Sequence, residues 1–395
     1  AGVALGLAYS AAWALAAGRA AGRGRATEAS ALCVSAALIA YPLLWEATVG
    51  FKLLAPAGAA AMLVVVASGL MAAAWRGGLQ GAAWVVTLGA LGAGFALMVA
   101  TAAVGTFSLA FLLLGGGLLW LTYGRRWQDL RWPAALAADL AVLVAALLAS
   151  WPGGTPEHYR SLTPGRALAL CLALVGVYLG SFVVRILMRQ RELVPFEGVQ
   201  GALALLVGFG GALRVAQASG SGDAVLAVAA LLGGFACYGA AFAFVEKQAG
   251  HSGNFTFFTS LALVLVATGC FVLIGGAGRT WAFAGLGLTT TLLGLRFGRW
   301  TLLAHGSVYL STAALVSELA ARSLEAFLAA DRARTPATAP ALVALAALAL
   351  VHGLLSRGDE TRRWPERLPS LAAGAWAALG AGALLVDALG RLLPG

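Results

Sequence analysis

The feature that most constrains this chain is a repeating alternation of apolar stretches with short, arginine-bearing breaks. About fourteen apolar stretches of about 15–23 residues follow one another from Ala1 to Leu393. A helix needs about 20 apolar residues to cross the hydrocarbon core of a bilayer. The stretches do not alternate with period two, which argues against a membrane barrel. The pattern therefore predicts a protein that crosses a membrane many times as helices.

The predicted spans follow the apolar stretches and together define an all-α polytopic transmembrane helix bundle. They lie near residues 1–18, 30–45, 57–75, 81–101, 106–123, 133–150, 165–187, 196–216, 223–245, 256–276, 280–295, 300–320, 338–356 and 369–389. The second and eleventh are short. We expect residues 1–395 to form a single integral membrane domain with no soluble domain. Since the chain lacks an initiating Met, we also expect it to be a fragment of something longer.

Three of the breaks share arginine and tryptophan; they begin near residues 74, 123 and 295. One helical hairpin used several times would produce this likeness. Convergence on the same interfacial anchors would produce it as well. A bundle built from repeated hairpins is therefore one of two open interpretations.

The charge balance indicates membrane topology rather than a nucleic-acid partner. The chain is 61% hydrophobic and 11% charged, whereas a soluble domain carries about 25% charged residues. Its net charge of +10 comes from basic residues scattered through the breaks, so no single basic face predicts nucleic-acid binding. Breaks after odd-numbered spans hold 17 of the 26 basic residues, and breaks after even-numbered spans hold eight. The positive-inside rule therefore predicts that the odd-numbered breaks are cytoplasmic.

Three ionisable side chains in predicted spans are candidates for an intramembrane polar site. Asp139 lies about 10 Å into its span, where an uncompensated carboxylate costs ~3 kcal/mol or more. It is therefore either part of a functional cavity or held in a buried structural pair. His305 and Glu318 lie near opposite ends of one predicted span, about 20 Å apart along the helix, so they form no proton relay by themselves. For these two, a functional role and a structural role at a span end both stay open.

The other charged residues fit the ends of spans, and the sequence holds no recognisable catalytic motif. Arg185 and Arg189 close a span and are expected to reach the headgroups. Glu197 follows Pro195 in the first turn of a helix, where a carboxylate favours the helix dipole. The four cysteines are isolated in separate spans, which supports neither a metal site nor a disulfide. No phosphate-binding loop, metalloprotease helix or nucleophile-elbow serine occurs, so we predict no catalytic residue, cofactor or metal.

Three parts of the chain resemble one bacterial family. They are residues 41–48, which lead through 54–56 into a long span; 115–120, which run into 125–131; and 281–285, which lead to 293–296. These stretches are similar to helix ends and interfacial anchors of the membrane-protein family called domain of unknown function 2339. The resemblance implies a multi-pass bacterial protein longer than this chain, and it implies no substrate or catalytic residue. A Glu usual in that family is replaced here around Ala284 and Gly285, so we expect no role for that carboxylate.

Three functions stay open from the sequence. The first is a transport or envelope-associated protein of a bacterial inner membrane that binds a lipid or small amphiphile between glycine-rich helices, without catalysis of its own. The second is a structural or scaffolding component that assembles with other membrane proteins. The third is a lipid-linked glycosyl- or acyltransferase, for which Glu157 and His158 are the only outward-facing acid–histidine pair. Membrane lipids are partners in all three, and nucleic acid is a partner in none.

Overall fold

Every regular element is helical in the part of the chain that this computed structural model describes, residues 2–124, 127–245, 252–328, 338–356 and 364–392. The α-helices are α1 (Gly2–Gly22), α2 (Ala26–Trp45), α3 (Pro56–Gly77), α4 (Gln80–Thr101), α5 (Val104–Tyr123), α6 (Arg131–Ala149), α7 (Pro164–Val183), α8 (Pro195–Leu203), α9 (Gly210–Ser219), α10 (Asp223–Ala243), α11 (Ser252–Leu273), α12 (Ala277–Phe297), α13 (Trp300–Val316), α14 (Leu319–Leu328), α15 (Ala339–Ser356) and α16 (Trp364–Leu392). Turns of π-helix follow α2, α7 and α8 at Glu46–Gly50, Val184–Met188 and Ala204–Phe209, and 3-10 turns cover Gln128–Leu130 and Glu157–Tyr159.

The predicted all-α polytopic bundle is confirmed. Each predicted span falls on a helix, and eleven helices within the described ranges are long and apolar enough to cross a membrane. The remaining predicted spans lie on α1, α12 and α13, of which α13 has 17 residues. The two spans that look short in sequence are longer in the structure, since α2 with its π turn covers 25 residues and α12 covers 21.

Some basic residues that entered the prediction of topology lie outside the described residues. They are Arg125, Arg126, Lys247, Arg332, Arg334, Arg357, Arg362 and Arg363. The assignment of the odd-numbered breaks to the cytoplasm stays a prediction.

Contacts between helices divide the chain into two compact units, Ala1–Gly222 with α1–α9 and Asp223–Gly395 with α10–α16. In unit 1, neighbouring helices pack as the hairpins α1–α2, α3–α4 and α5–α6, and α7 packs against α9 and the π turn that follows α8. In unit 2, the hairpins are α10–α11, α12–α13 and α15–α16. Sequential hairpins therefore build much of each unit, and their origin from one repeated hairpin stays a prediction.

Two of the three similar breaks also share a backbone cap. Gly78 after α3 and Gly298 after α12 both adopt the left-handed conformation, with φ of 69° and 63°. In each break the next N–H donates to the carbonyl five residues earlier, at 2.9 Å and 2.8 Å respectively, which is the bond of a Schellman cap. The break after α5 differs, because Gly124 is right-handed with φ of −84°.

Glycines bring the helix backbones of unit 2 close together. A Cβ at Gly234 of α10 would lie 3.1 Å from the carbonyl oxygen of Ala262 in α11. A Cβ at Gly269 of α11 would lie 2.8 Å from the carbonyl oxygen of Ala227 in α10. Small residues permit such approach between membrane helices, so both glycines serve the packing of this hairpin.

Candidate functional site

Asp139 lies in the interior of unit 1 and has a partner there. Its side chain projects from α6 in a residue that is 5% exposed. Both carboxylate oxygens accept hydrogen bonds from Nε2 of Gln200 in α8, each at 3.0 Å, and Gln200 is fully buried. This pairing gives both carboxylate oxygens a hydrogen-bond donor in the interior, from a neutral amide.

Two more polar atoms are buried in unit 1. The Oε1 atom of Gln200 and the hydroxyl of Tyr178 have no hydrogen-bond partner among the described residues. Tyr178 is 0% exposed, and its hydroxyl oxygen lies 2.5 Å from the place that a Cβ at position 115 would occupy. Gly115 is therefore required for this tyrosine to sit where it does, because real Cβ atoms do not approach so closely.

A larger polar feature, which we call the arginine cavity, lies where α5 and α7 end and α6 begins. Its volume is about 490 Å³. The lining residues are Thr122, Tyr123, Gly124, Gln128, Arg131, Arg185, Arg189 and Arg191. Four guanidinium groups thus converge from two separate breaks, which follow the fifth and seventh predicted spans. No carboxylate is among the described residues that line the cavity.

Arg131 is fixed in the wall of the arginine cavity. This residue is 4% exposed, and its Nε donates to the hydroxyl of Thr122 at 2.7 Å. Its guanidinium carbon lies 4.6 Å from the centroid of the Tyr123 ring, a cation–π geometry. No described residue accepts a hydrogen bond from the two terminal nitrogens. Thr122 and Tyr123 therefore fix the plane of the Arg131 guanidinium, and its two terminal nitrogens can donate to a ligand in the cavity.

Glu197 is the buried carboxylate behind the arginine cavity. It is 0% exposed and accepts hydrogen bonds from the Tyr123 hydroxyl at 3.0 Å and from the Val194 N–H at 3.1 Å. It also forms an ion pair with Arg185. The bond from Val194 caps the first turn of α8, which agrees with the predicted place of this carboxylate at a helix N-terminus. Glu197 pairs directly with Arg185 and also interacts electrostatically with Arg131.

The end of α7 directs three of the arginines to one place. The helix closes with the π turn Val184–Met188, and Gln190 then adopts a left-handed conformation with φ of 47°. Arg191 N–H donates back to the carbonyl oxygen of Arg185 at 3.3 Å. The chain is thereby folded over the last turn of its own helix, which keeps Arg189 and Arg191 beside Arg185. Turns of π-helix are frequent at functional sites.

His305 and Glu318 belong to unit 2 and are not brought together. His305 is 5% exposed in α13, and its Nδ1 lies 2.8 Å from the hydroxyl of Tyr238 in α10. Glu318 follows the end of α13, with φ of 64° and a side chain that is 70% exposed. Its carboxylate lies 3.5 Å from Arg322 one turn later. Asp139 lies in unit 1.

A second cavity, which we call the aromatic slot, lies between α10, α11, α12 and α13 of unit 2. Its volume is about 530 Å³, and most of its wall is apolar. The lining residues are Phe235, Tyr238, Phe242, Val266, Leu286, Thr289, Thr290, Leu293, Phe297, Arg299, Leu302 and Tyr309. The hydroxyl of Tyr238 links this wall to His305.

The acid–histidine pair named for a transferase lies in a surface turn. Glu157 is exposed in a 3-10 turn and pairs with Arg160 at 2.5 Å. The ring of His158 contacts that of Tyr159, with 6.4 Å between centroids. Both side chains are thus engaged with sequence neighbours.

The sequence analysis did not identify Gln200, Tyr178 or Tyr123, and it assigned Arg185 to the headgroups. One signal was available, because Gln200 follows Glu197 by three residues and the two therefore share a face of α8. A polar face of this kind at the start of an apolar span indicates a partner on a neighbouring helix. The partners themselves lie about 60 to 75 residues away along the chain, which spacing does not reveal.

The chain matches no protein-family model, no curated protein and no solved structure in the comparisons made.

Proposed function

We propose that this multi-pass membrane protein belongs to the family called domain of unknown function 2339, lies in a bacterial inner membrane and binds an anionic amphiphile without catalysing its reaction. The ligand class is a membrane lipid, or a related amphiphile, that carries a phosphate group. The arginine cavity is the observation that carries this proposal. Four guanidinium groups from two breaks surround it, and no described lining residue is acidic.

Arginine suits this ligand because its planar fork donates two parallel hydrogen bonds to one phosphate. Arg131 provides such a fork in a fixed plane, held by Thr122 and the Tyr123 ring. Arg189 extends from the end of α7 with its guanidinium 5.1 Å from the Trp120 ring centroid. Arg131, which is held rigidly, and Arg189, which is exposed, therefore face the same cavity.

The depth of the arginine cavity supports a lipid headgroup as the ligand. The cavity lies at the ends of three membrane helices, which is the level of the headgroups. Basic pockets between helices on the cytoplasmic side bind anionic headgroups in this way. A lipid whose phosphate lies at this depth keeps its acyl chains in the hydrocarbon core.

The buried acids support binding rather than chemistry. Glu197 accepts from Tyr123, Val194 and Arg185, and Asp139 accepts from Gln200 through both oxygens. A general base must reach the proton that it removes, and each of these carboxylates is already held by donors in the protein interior.

A binding measurement on the full chain in phosphatidylcholine nanodiscs tests the proposal. The probes are dioctanoyl phosphatidate and inorganic phosphate, which distinguish a lipid headgroup from a free anion. The double variant Arg189→Gln/Arg191→Gln removes two exposed guanidiniums from the arginine cavity. Each hydrogen bond to a charged group is worth about 1.5–3 kcal/mol, so we expect phosphatidate to bind at least about tenfold more weakly.

The matched control is Arg19→Gln/Arg23→Gln. Both residues are exposed at the end of α1, in another odd-numbered break of unit 1. This control removes the same charge and is expected to keep wild-type affinity. If both double variants bind phosphatidate equally weakly, the loss of affinity comes from surface charge in general. If both bind it with wild-type affinity, the arginine cavity is not the binding site. Binding of inorganic phosphate with the affinity of phosphatidate would refute the lipid assignment.

A further inference from the structure

The aromatic slot of unit 2 extends along its helices. On α13 its lining runs from Arg299, which precedes the first turn, to Tyr309, a rise of about 15 Å at 1.5 Å per residue. On α12 it runs from Phe297 at the helix end to Leu286, about 16 Å. The slot therefore reaches from the end of the hairpin to about the middle of a 30 Å hydrocarbon core.

The walls of the aromatic slot suit an apolar chain entering from the bilayer. Its floor is closed, because Val266 and Tyr309 are each 1% exposed. Its rim is open, because Phe235 is 58% and Phe297 60% exposed. A volume of about 530 Å³ falls in the range of small-molecule binding sites.

One end of the aromatic slot carries positive charge. Arg299 lines the slot at the break between α12 and α13, and Arg296 lies in the last turn of α12. No acidic residue is among the described residues that line it. A cationic end at headgroup level and an apolar body reaching inward complement a lipid with an anionic headgroup and a long chain.

We infer that the aromatic slot binds one acyl chain of an anionic membrane lipid, whose headgroup lies at Arg299. This site belongs to unit 2 and does not rest on the arginine cavity of unit 1. The apolar chain lies along Leu293 and Leu302 and ends near the hydroxyls of Tyr238 and Tyr309.

Photolabelling of the full chain in nanodiscs tests this inference. The probes are a phosphatidate and a phosphatidylcholine that carry the same photoreactive diazirine in mid-chain, and labelled peptides are mapped by mass spectrometry. We expect phosphatidate to label peptides of α12 and α13 at the slot in preference to phosphatidylcholine. Arg299→Gln is expected to reduce that preference by about fivefold, the effect of one cation near a membrane surface.

A pair of neighbouring leucines provides the matched control. Leu293 lines the aromatic slot and is 39% exposed, whereas Leu292 is 53% exposed and lies outside the lining. Leu293→Trp fills the slot and is expected to abolish its labelling, and Leu292→Trp is expected to preserve it. Elution of each variant as a single wild-type-like peak confirms folding. Labelling spread over all lipid-facing helices, equal for both probes and unchanged in Leu293→Trp, would overturn the inference.

Discussion

Replacing Glu197 by Gln is the most informative test of how unit 1 is held together. The carboxylate is fully buried and accepts from Tyr123 and Val194 while pairing with Arg185. Glutamine has nearly the same shape but retains only one acceptor oxygen, so the change removes the negative charge and one of the two oxygens that accept hydrogen bonds. The guanidinium of Arg185, whose side chain is 15% exposed, then stays in place without its counter-charge.

The expected loss of stability follows from that buried pair. Removing one partner of a buried ion pair costs about 3–5 kcal/mol. The acceptor that glutamine retains and the partial exposure of Arg185 reduce the cost toward the lower limit. We therefore expect Glu197→Gln to lower the free energy of unfolding by ~3 kcal/mol.

Unfolding of the purified chain by a denaturing detergent in mixed micelles measures this quantity. Glu192→Gln is the matched control, because Glu192 lies five residues earlier in the same break and is exposed. We expect that variant to stay within about 0.5 kcal/mol of wild type. Equal stability of the two variants would refute the structural role given to Glu197.

Two further predictions concern the backbone of unit 1. Gly115→Ala places a Cβ 2.5 Å from the Tyr178 hydroxyl and should lower the free energy of unfolding by about 1–3 kcal/mol through overpacking. Adding Tyr178→Phe to that variant should restore much of the lost stability. Gly117→Ala is the control and should be neutral, because a Cβ there has no neighbour within 4 Å. Gln190→Gly should stabilise the protein by ~1 kcal/mol, because glycine removes the steric strain of a Cβ in the left-handed conformation. A loss of stability in the same detergent titration would contradict the strain assigned to this position.

The class of the fold was predictable because it depends on lengths of apolar sequence. Each apolar stretch is long enough for a membrane helix, and such a helix satisfies its own backbone hydrogen bonds. The prediction needed no knowledge of which helices touch. The boundaries were less predictable, since the π turn after α7 and the break after α13 depend on local backbone geometry. That geometry leaves Glu318 outside the helix to which the sequence analysis assigned it.

For the buried polar residues, the sequence predicted that a partner is needed but not which residue provides it. The depth of Asp139 showed that the carboxylate needed compensation, but its partner Gln200 is 61 residues away. The same holds for His305, whose partner Tyr238 is 67 residues away. Hydrophobic periodicity locates helices and leaves their neighbours open. The arginine cavity escaped prediction for this reason, since its arginines come from two breaks that looked independent.

The ion pair between Arg185 and Glu197 also has a consequence for biogenesis. The two residues are 12 positions apart, at the end of one membrane helix and the start of the next, so they leave the ribosome nearly together. These two charges lie at adjoining helix ends and can neutralise each other within one hairpin. The segment from α7 to α8 therefore carries its own charge compensation into the bilayer, before any later helix of the protein has been synthesised.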